Sequence, residues 1–137
     1  HSLLGEVYML SGDPDRADLE FKKSLEAKDI DRSYAARSRW GLCELYFQEK
    51  RYDMARKLAM RAMVLDDDPA YTPKAMRIAA LCHLQQNDLE MAAKTWRELN
   101  DRFPLYAQSI AGEAALQPAI EAEKRAKGTP VPPIKPE

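Results

Sequence analysis

The chain repeats itself. Leu4, Gly5, Tyr8, Ala17 and Phe21 are matched 38 residues on by Leu42, Cys43, Tyr46, Ala55 and Ala59. A further shift of 37 brings Ala79, Ala80, His83, Ala92 and Trp96. Between the small pair and the later Ala, each copy carries a polar turn: SGDPD (11–15), QEKRYD (48–53) and QQNDLE (85–90). Self-similarity at a period of roughly 20–50 residues marks stacked units, because one such unit cannot bury its apolar face alone.

Apolar residues recur at helical spacing on both sides of each turn. Each unit is therefore expected to be two antiparallel helices, A and B, and the fold class to be all-α. The expected spans are 1–11 and 14–28, 32–48 and 52–66, then 73–86 and 88–102. Gly5, Cys43 and Ala80 are read as small because A and B cross closely there, with Ala17, Ala55 and Ala92 answering on B. Tyr8, Tyr46, Phe21 and Trp96 are expected to fill the wedges between pairs. Pro69 and Pro104 follow B helices, where a fixed φ and a missing N–H stop a helix at little cost.

LGEVY with Ala17 and Phe21, LCELY with Ala55 and Ala62, and AALCH with Ala92, Trp96 and Pro104 carry a resemblance. They resemble the tetratricopeptide repeat, W-x₂-L-G-x₂-Y…A-x₃-F…P. The likeness covers about residues 1–104 and implies an α-solenoid of three antiparallel helix pairs, in repeats 1–28, 32–66 and 73–104. The period exceeds the family's, and the extra residues are assigned to the junctions DIDRS (29–33) and DDDPAYTP (66–73). Residues 105–127 are expected to cap the stack as a helix to about Gln117, restarting with Pro118 in the first turn. Ile110, Ala111, Ala114 and Leu116 are assigned to cover the third repeat, so that residues 1–127 form the domain. The stretch 128–137, GTPVPPIKPE, holds four prolines and is expected to be an extended, polyproline-like tail. Its PxxP spacings are read as a linker or terminus rather than a ligand.

No catalytic constellation is present: no Gly-rich phosphate loop, no GxSxG and no HExxH. Cys82 and His83 are adjacent, and neighbouring helical residues point about 100° apart, so they form no nucleophile–base pair. His83 takes the slot of Tyr8 and Tyr46 and is expected to be a packing residue. Cys43 and Cys82 fit neither a disulfide framework nor a metal spacing and are expected to be buried apolar residues. Asp66, Asp67 and Asp68 lack the spaced ligands of a calcium loop and are expected to make a solvated turn. The expectation is a non-enzyme without cofactor or metal.

With 21 basic and 22 acidic residues well mixed, the net charge of -1 leaves no nucleic-acid footprint. No apolar run reaches the ~18 residues of a membrane span, so no membrane insertion is expected. The tetratricopeptide resemblance implies that A helices line a concave groove holding a partner peptide or helix. The expected lining begins with Ser2, Glu6 and Met9, continues with Arg37, Trp40, Gly41, Glu44 and Phe47, and ends with Lys74, Arg77, Ile78, Leu81 and Leu84. The partner-binding set is Glu6, Met9, Arg37, Trp40, Glu44, Phe47, Lys74, Arg77 and Leu81. Trp and Arg among these are enriched in binding hot spots, and Arg forks onto carboxylates as Lys cannot.

The carboxylate clamp of tetratricopeptide cochaperones is absent: of Ser2, Glu6, Gly41, Lys74 and Ile78, only Lys74 fits it. A second resemblance links residues 62–92 to the tetratricopeptide chaperones of type III secretion. It rests on an acidic-Pro junction and an A helix ending in a turn, and does not assign that role. The expected function is a non-catalytic protein-interaction module of bacterial origin. The alternatives are a self-assembly unit and a docking domain of a larger enzyme or secretion-chaperone system. Free thiols favour a reducing compartment, cytoplasmic rather than periplasmic. His1-Ser2 reads as a tag remnant, and Leu4 lies so near the start that a clipped first helix and an upstream continuation are expected.

Overall fold

The computed structural model describes residues 5–6, 14–26 and 31–128. Among them, all regular structure is helical: α1 (Pro14–Glu26), α2 (Arg32–Gln48), α3 (Tyr52–Leu65), α4 (Thr72–Gln85), α5 (Leu89–Arg102), α6 (Pro104–Ile110) and α7 (Gln117–Gly128). A short 3₁₀ turn, Ala114–Leu116, precedes α7, and Gly5 and Glu6 are also helical. The expected bounds of the second and third units agree with α2 to α5 within a residue or so. Met9, the rest of the first A helix and residues 129–137 lie outside the described residues.

Helix ends repeat as the apolar pattern does. The Asp31 carboxylate accepts from Ser33 N at 2.8 Å and so caps α2. Thirty-seven residues on, Asp68 accepts from Ala70 N and Tyr71 N at 2.8 and 3.0 Å, while Thr72 Oγ1 accepts from Asp68 N. The C-termini of α2 and α4 close with the same three backbone bonds. Glu49 N donates to Leu45 O, Lys50 N to Phe47 O and Arg51 N to Tyr46 O; Gln86, Asn87 and Asp88 donate likewise to Cys82, Leu84 and His83. Lys50 (φ 61°) and Asn87 (φ 58°) hold the left-handed position in these paired turns.

From α1 to α6 each helix packs on the next, α2 also packs on α4, and α5 also packs on α7. One core cluster joins Phe21, Leu42, Cys43, Leu45, Tyr46, Ala55, Ala59, Ile78 and Cys82. The other joins Met76, Ala80, Leu81, Trp96, Leu99, Ile110, Leu116 and Ile120, and Phe47 and Met63 touch both. Full burial of side chains such as Leu99 and Leu116 stabilises by about 1.5–3 kcal/mol each. The small positions Ala17, Cys43, Ala55, Ala80 and Ala92 are fully buried.

Four expectations change. Gly41 lies under Phe21 rather than on a groove, because a Cβ there would meet the Phe21 ring. Of the three aspartates of the acidic junction, only Asp67 is exposed, and Asp68 is half-buried. Asp66 is buried, with Arg39 on Oδ1, and burial pushes its carboxyl up. Arg102 of α5 binds the same junction, donating to Met63 O at 2.9 Å and Asp66 O at 3.4 Å, where α3 leaves carbonyls without helical partners. The capping segment breaks at Ala111–Glu113 instead of running to Gln117; Pro104 opens α6 and Pro118 lies in the first turn of α7. Finally, Ile110 and Leu116 are buried, whereas Ala111 and Ala114 are exposed.

Candidate functional site

Positions three and four apart on a helix share a face, which aligns Arg37, Trp40 and Glu44 on α2 and Lys74 and Arg77 on α4. Because α2 and α4 are in contact, these rows meet. Trp40 and Tyr71 lie with ring centroids 5.6 Å apart and planes tilted by 33°. The Lys74 ammonium stands 4.9 Å from the Trp40 centroid and 5.5 Å from that of Tyr71. The Arg37 guanidinium is 5.8 Å from the Tyr71 ring. Such cation–π contacts contribute about 0.5–1 kcal/mol at exposed sites and more when desolvated. Trp40, Glu44, Lys74, Arg77 and Tyr106 line a depression of about 220 Å³, and all five are half-buried.

Both arginines of this face already hold carboxylates. Arg37 grips Glu6 with two nitrogens, Nε donating to Oε1 at 2.9 Å and Nη2 to Oε2. Arg77 Nε donates to Glu113 Oε1 and Oε2 at 2.8 and 3.0 Å, and Nη2 donates to Oε2 at 2.8 Å. Forked pairs of this kind satisfy the guanidinium and fix its plane. Glu113 comes from the turn that interrupts the capping segment. Lys74 has no ion pair to a carboxylate among the described residues. Glu44 accepts from Gln48 Nε2 at 3.2 Å. Burial pushes the Tyr106 phenol up, and the Arg77 charge partly offsets that.

Of the nine expected partner-binding residues, Trp40, Glu44, Lys74 and Arg77 meet at the depression. Glu6 and Arg37 flank it as a pair linked through Tyr71. Phe47 is a joint between the two core clusters, edge-on to Tyr52 at 5.4 Å. Leu81 is a core residue only 5% exposed and Ile78 is fully buried, so neither has surface to offer this face. Met9 lies outside the described residues. Tyr71, Tyr106 and Glu113 were missed by sequence reasoning. Tyr71 carried a signal, since it follows Tyr34 by the repeat offset of 37.

Cys43 and Cys82 are free and buried, and burial pushes both thiols up, Cys82 to about 12. A thiol held neutral in this way is a poor nucleophile. His83 is 2% exposed, its Nε2 has no hydrogen-bond partner, and burial lowers its pKa. Among the described residues, no group of three His, Cys, Asp or Glu side chains is placed to hold a metal ion. No described helix is long and apolar enough to cross a membrane. No protein-family model matches the sequence, and a search of curated proteins returns no significant match.

Proposed function

We propose that this chain is a non-catalytic protein-interaction module. In this reading its helix pairs stack antiparallel as an α-solenoid of the tetratricopeptide kind, closed by α7, and the α2–α4 face holds a partner peptide or helix. The observation that carries the proposal is the half-buried Trp40–Tyr71 pair beside Lys74, Glu44 and Tyr106. Aromatic side chains that offer broad apolar area on a rigid helix face are the usual anchors of a protein interface. The repeated capping and turn geometry of α2 and α4 supports the stacked arrangement.

The paired arginines refine the partner's chemistry. Arg37 and Arg77 would have to release Glu6 and Glu113 before gripping a partner carboxylate. Lys74 is therefore the cation that meets an acidic side chain, while Trp40 and Tyr71 receive an apolar one. Selection from a random peptide library tests this reading. Peptides that combine an aromatic or large aliphatic residue with Asp or Glu, and that fail to bind Trp40→Ala and Tyr71→Ala, are expected. Selected peptides that bind both variants as well as the parent protein would move the site elsewhere.

A further inference from the structure

A second concavity, of about 680 Å³, lies between α5 and α7 and shares no residue with the aromatic depression. Leu89, Ala93, Ala122 and Ala126 form its apolar strip. Leu89 is 42% exposed, Ala93 and Ala122 are half-buried and Ala126 is exposed, so the strip is open to solvent. Each wall adds two cations, Lys94 and Arg97 from α5 and Arg125 and Lys127 from α7. Against these four stand two carboxylates, Glu90 and Glu123, which leaves the lining at +2 in a chain whose net charge is -1.

We propose that this groove holds a helical segment of a protein partner, one whose apolar stripe is flanked on both sides by Asp or Glu. Charge complementarity is the first argument. All four cations are exposed, whereas Glu123 is only 7% exposed. An approaching partner therefore meets four positive heads and one carboxylate, that of Glu90, a field that steers acidic segments in and basic ones away. The existing ion pairs do not close the site. Lys94–Glu90, at 3.5 Å, is exposed at both ends, and such pairs contribute about 0–1 kcal/mol. Lys127 is 60% exposed beyond its 3.1 Å contact with Glu123, and an ammonium has further N–H donors to offer. Arg97 is exposed and makes no ion pair among the described residues.

The shape of the groove selects a helix. An extended segment laid on alanine side chains would desolvate backbone N–H and C=O groups that find no partner there, whereas a helix satisfies its own. Ala93, Ala122 and Ala126 are small enough to admit large apolar side chains from the partner. Leu89 to Arg97 spans about 12 Å at the helical rise of ~1.5 Å per residue. That length accepts anchors at i, i+3 or i+4, and i+7, the pattern of a helix docked in a groove. Cations on both walls, either side of the apolar strip, match carboxylates on both flanks of such a helix. No aromatic side chain lines the groove to stack on a base, so single-stranded nucleic acid is the poorer fit.

Two short synthetic helical peptides, titrated against the full chain, test the proposal. Both carry a stripe of Leu on one face, flanked on both sides by Glu in one peptide and by Lys in the other. The Glu peptide is expected to bind at least roughly tenfold more tightly at low salt, and to shift amide resonances of α5 and α7. Where the shifts fall separates this site from the α2–α4 face. The Lys94→Glu/Arg97→Glu double variant changes only exposed side chains, so the fold is kept, and it should weaken the Glu peptide by roughly tenfold or more. A scrambled Glu peptide, with its Leu residues no longer on one face, should not bind. Equal affinity for the Glu and Lys peptides, binding of the scrambled peptide, full affinity in the double variant, or shifts confined to the α2–α4 face overturns the proposal. Tighter binding of a single-stranded DNA oligonucleotide than of the Glu peptide overturns it as well.

Discussion

The Cβ that Gly41 lacks would run into Cε1 and Cζ of Phe21, across the contact between α1 and α2. Phe21 is fully buried, so its ring has no free space into which to swing. Gly41→Ala should therefore destabilise the domain. Overpacking costs about 1–3 kcal/mol, against the ~1 kcal/mol that Ala gains over Gly within a helix. The urea midpoint should fall, and adding Phe21→Leu should recover part of the loss. A Gly41→Ala protein as stable as the parent would show that the α1–α2 contact is looser than described.

Lys50 works in the opposite direction. It holds φ 61° where the matching turn uses Asn87. A Cβ-bearing residue is disfavoured in the left-handed region, Asn less so and Gly least. Lys50→Gly should accordingly raise stability by about 0.5–1 kcal/mol, and Lys50→Asn by less. Asn87→Lys should lower it. Thermal melts of the three variants check the order, and a destabilised Lys50→Gly would contradict the shared turn geometry.

These two positions also show where sequence reasoning reached and where it stopped. Spacing within a helix and the turn between helices are local, so the bounds of α2 to α5 were legible from periodicity and breakers alone. Which side of a helix faces solvent is not local. Helix α4 touches α2, α3, α5, the 3₁₀ turn and α7, so its apolar residues run around it rather than along one stripe. Ile78 and Leu81 therefore looked like groove residues and are core. The ion pairs escaped for the same reason, as Arg77 and Glu113 are 36 residues apart. Glu113 also comes from a turn that the expected capping helix did not contain.

His83 should give the domain an acid-sensitive component. Burial holds its pKa below the ordinary 6.5, so the folded protein resists a proton that the unfolded chain accepts. The corresponding stability is complete above the unfolded pKa and is lost as pH falls through the folded value. The slope for one such group is at most about 1.4 kcal/mol per pH unit. His83→Tyr, which restores the residue type of Tyr46, should flatten the fall in unfolding free energy below pH 6.5, whatever its effect at neutral pH. Parallel slopes for variant and parent between neutral and mildly acidic pH would rule His83 out as the source.

The proposed binding face makes the sharpest demand, because Trp40 both lines the depression and packs against the first core cluster. Truncating a central anchor typically costs ≥ 2 kcal/mol of binding, about a thirtyfold loss. Trp40→Ala should reach that for a library-selected peptide. Tyr71→Ala, which removes the opposing ring, should weaken binding in the same sense while sparing most of the core. Lys74→Ala should act mainly on association rate and salt dependence, as an ammonium at the rim does. Leu81→Ala provides the contrast: as a core residue it should lose about 2–5 kcal/mol of stability and leave affinity unchanged in the molecules that remain folded. Circular dichroism and urea unfolding of each variant separate the two classes. If Tyr71→Ala is as stable as the parent and still binds the peptide with full affinity, the α2–α4 face is not the site.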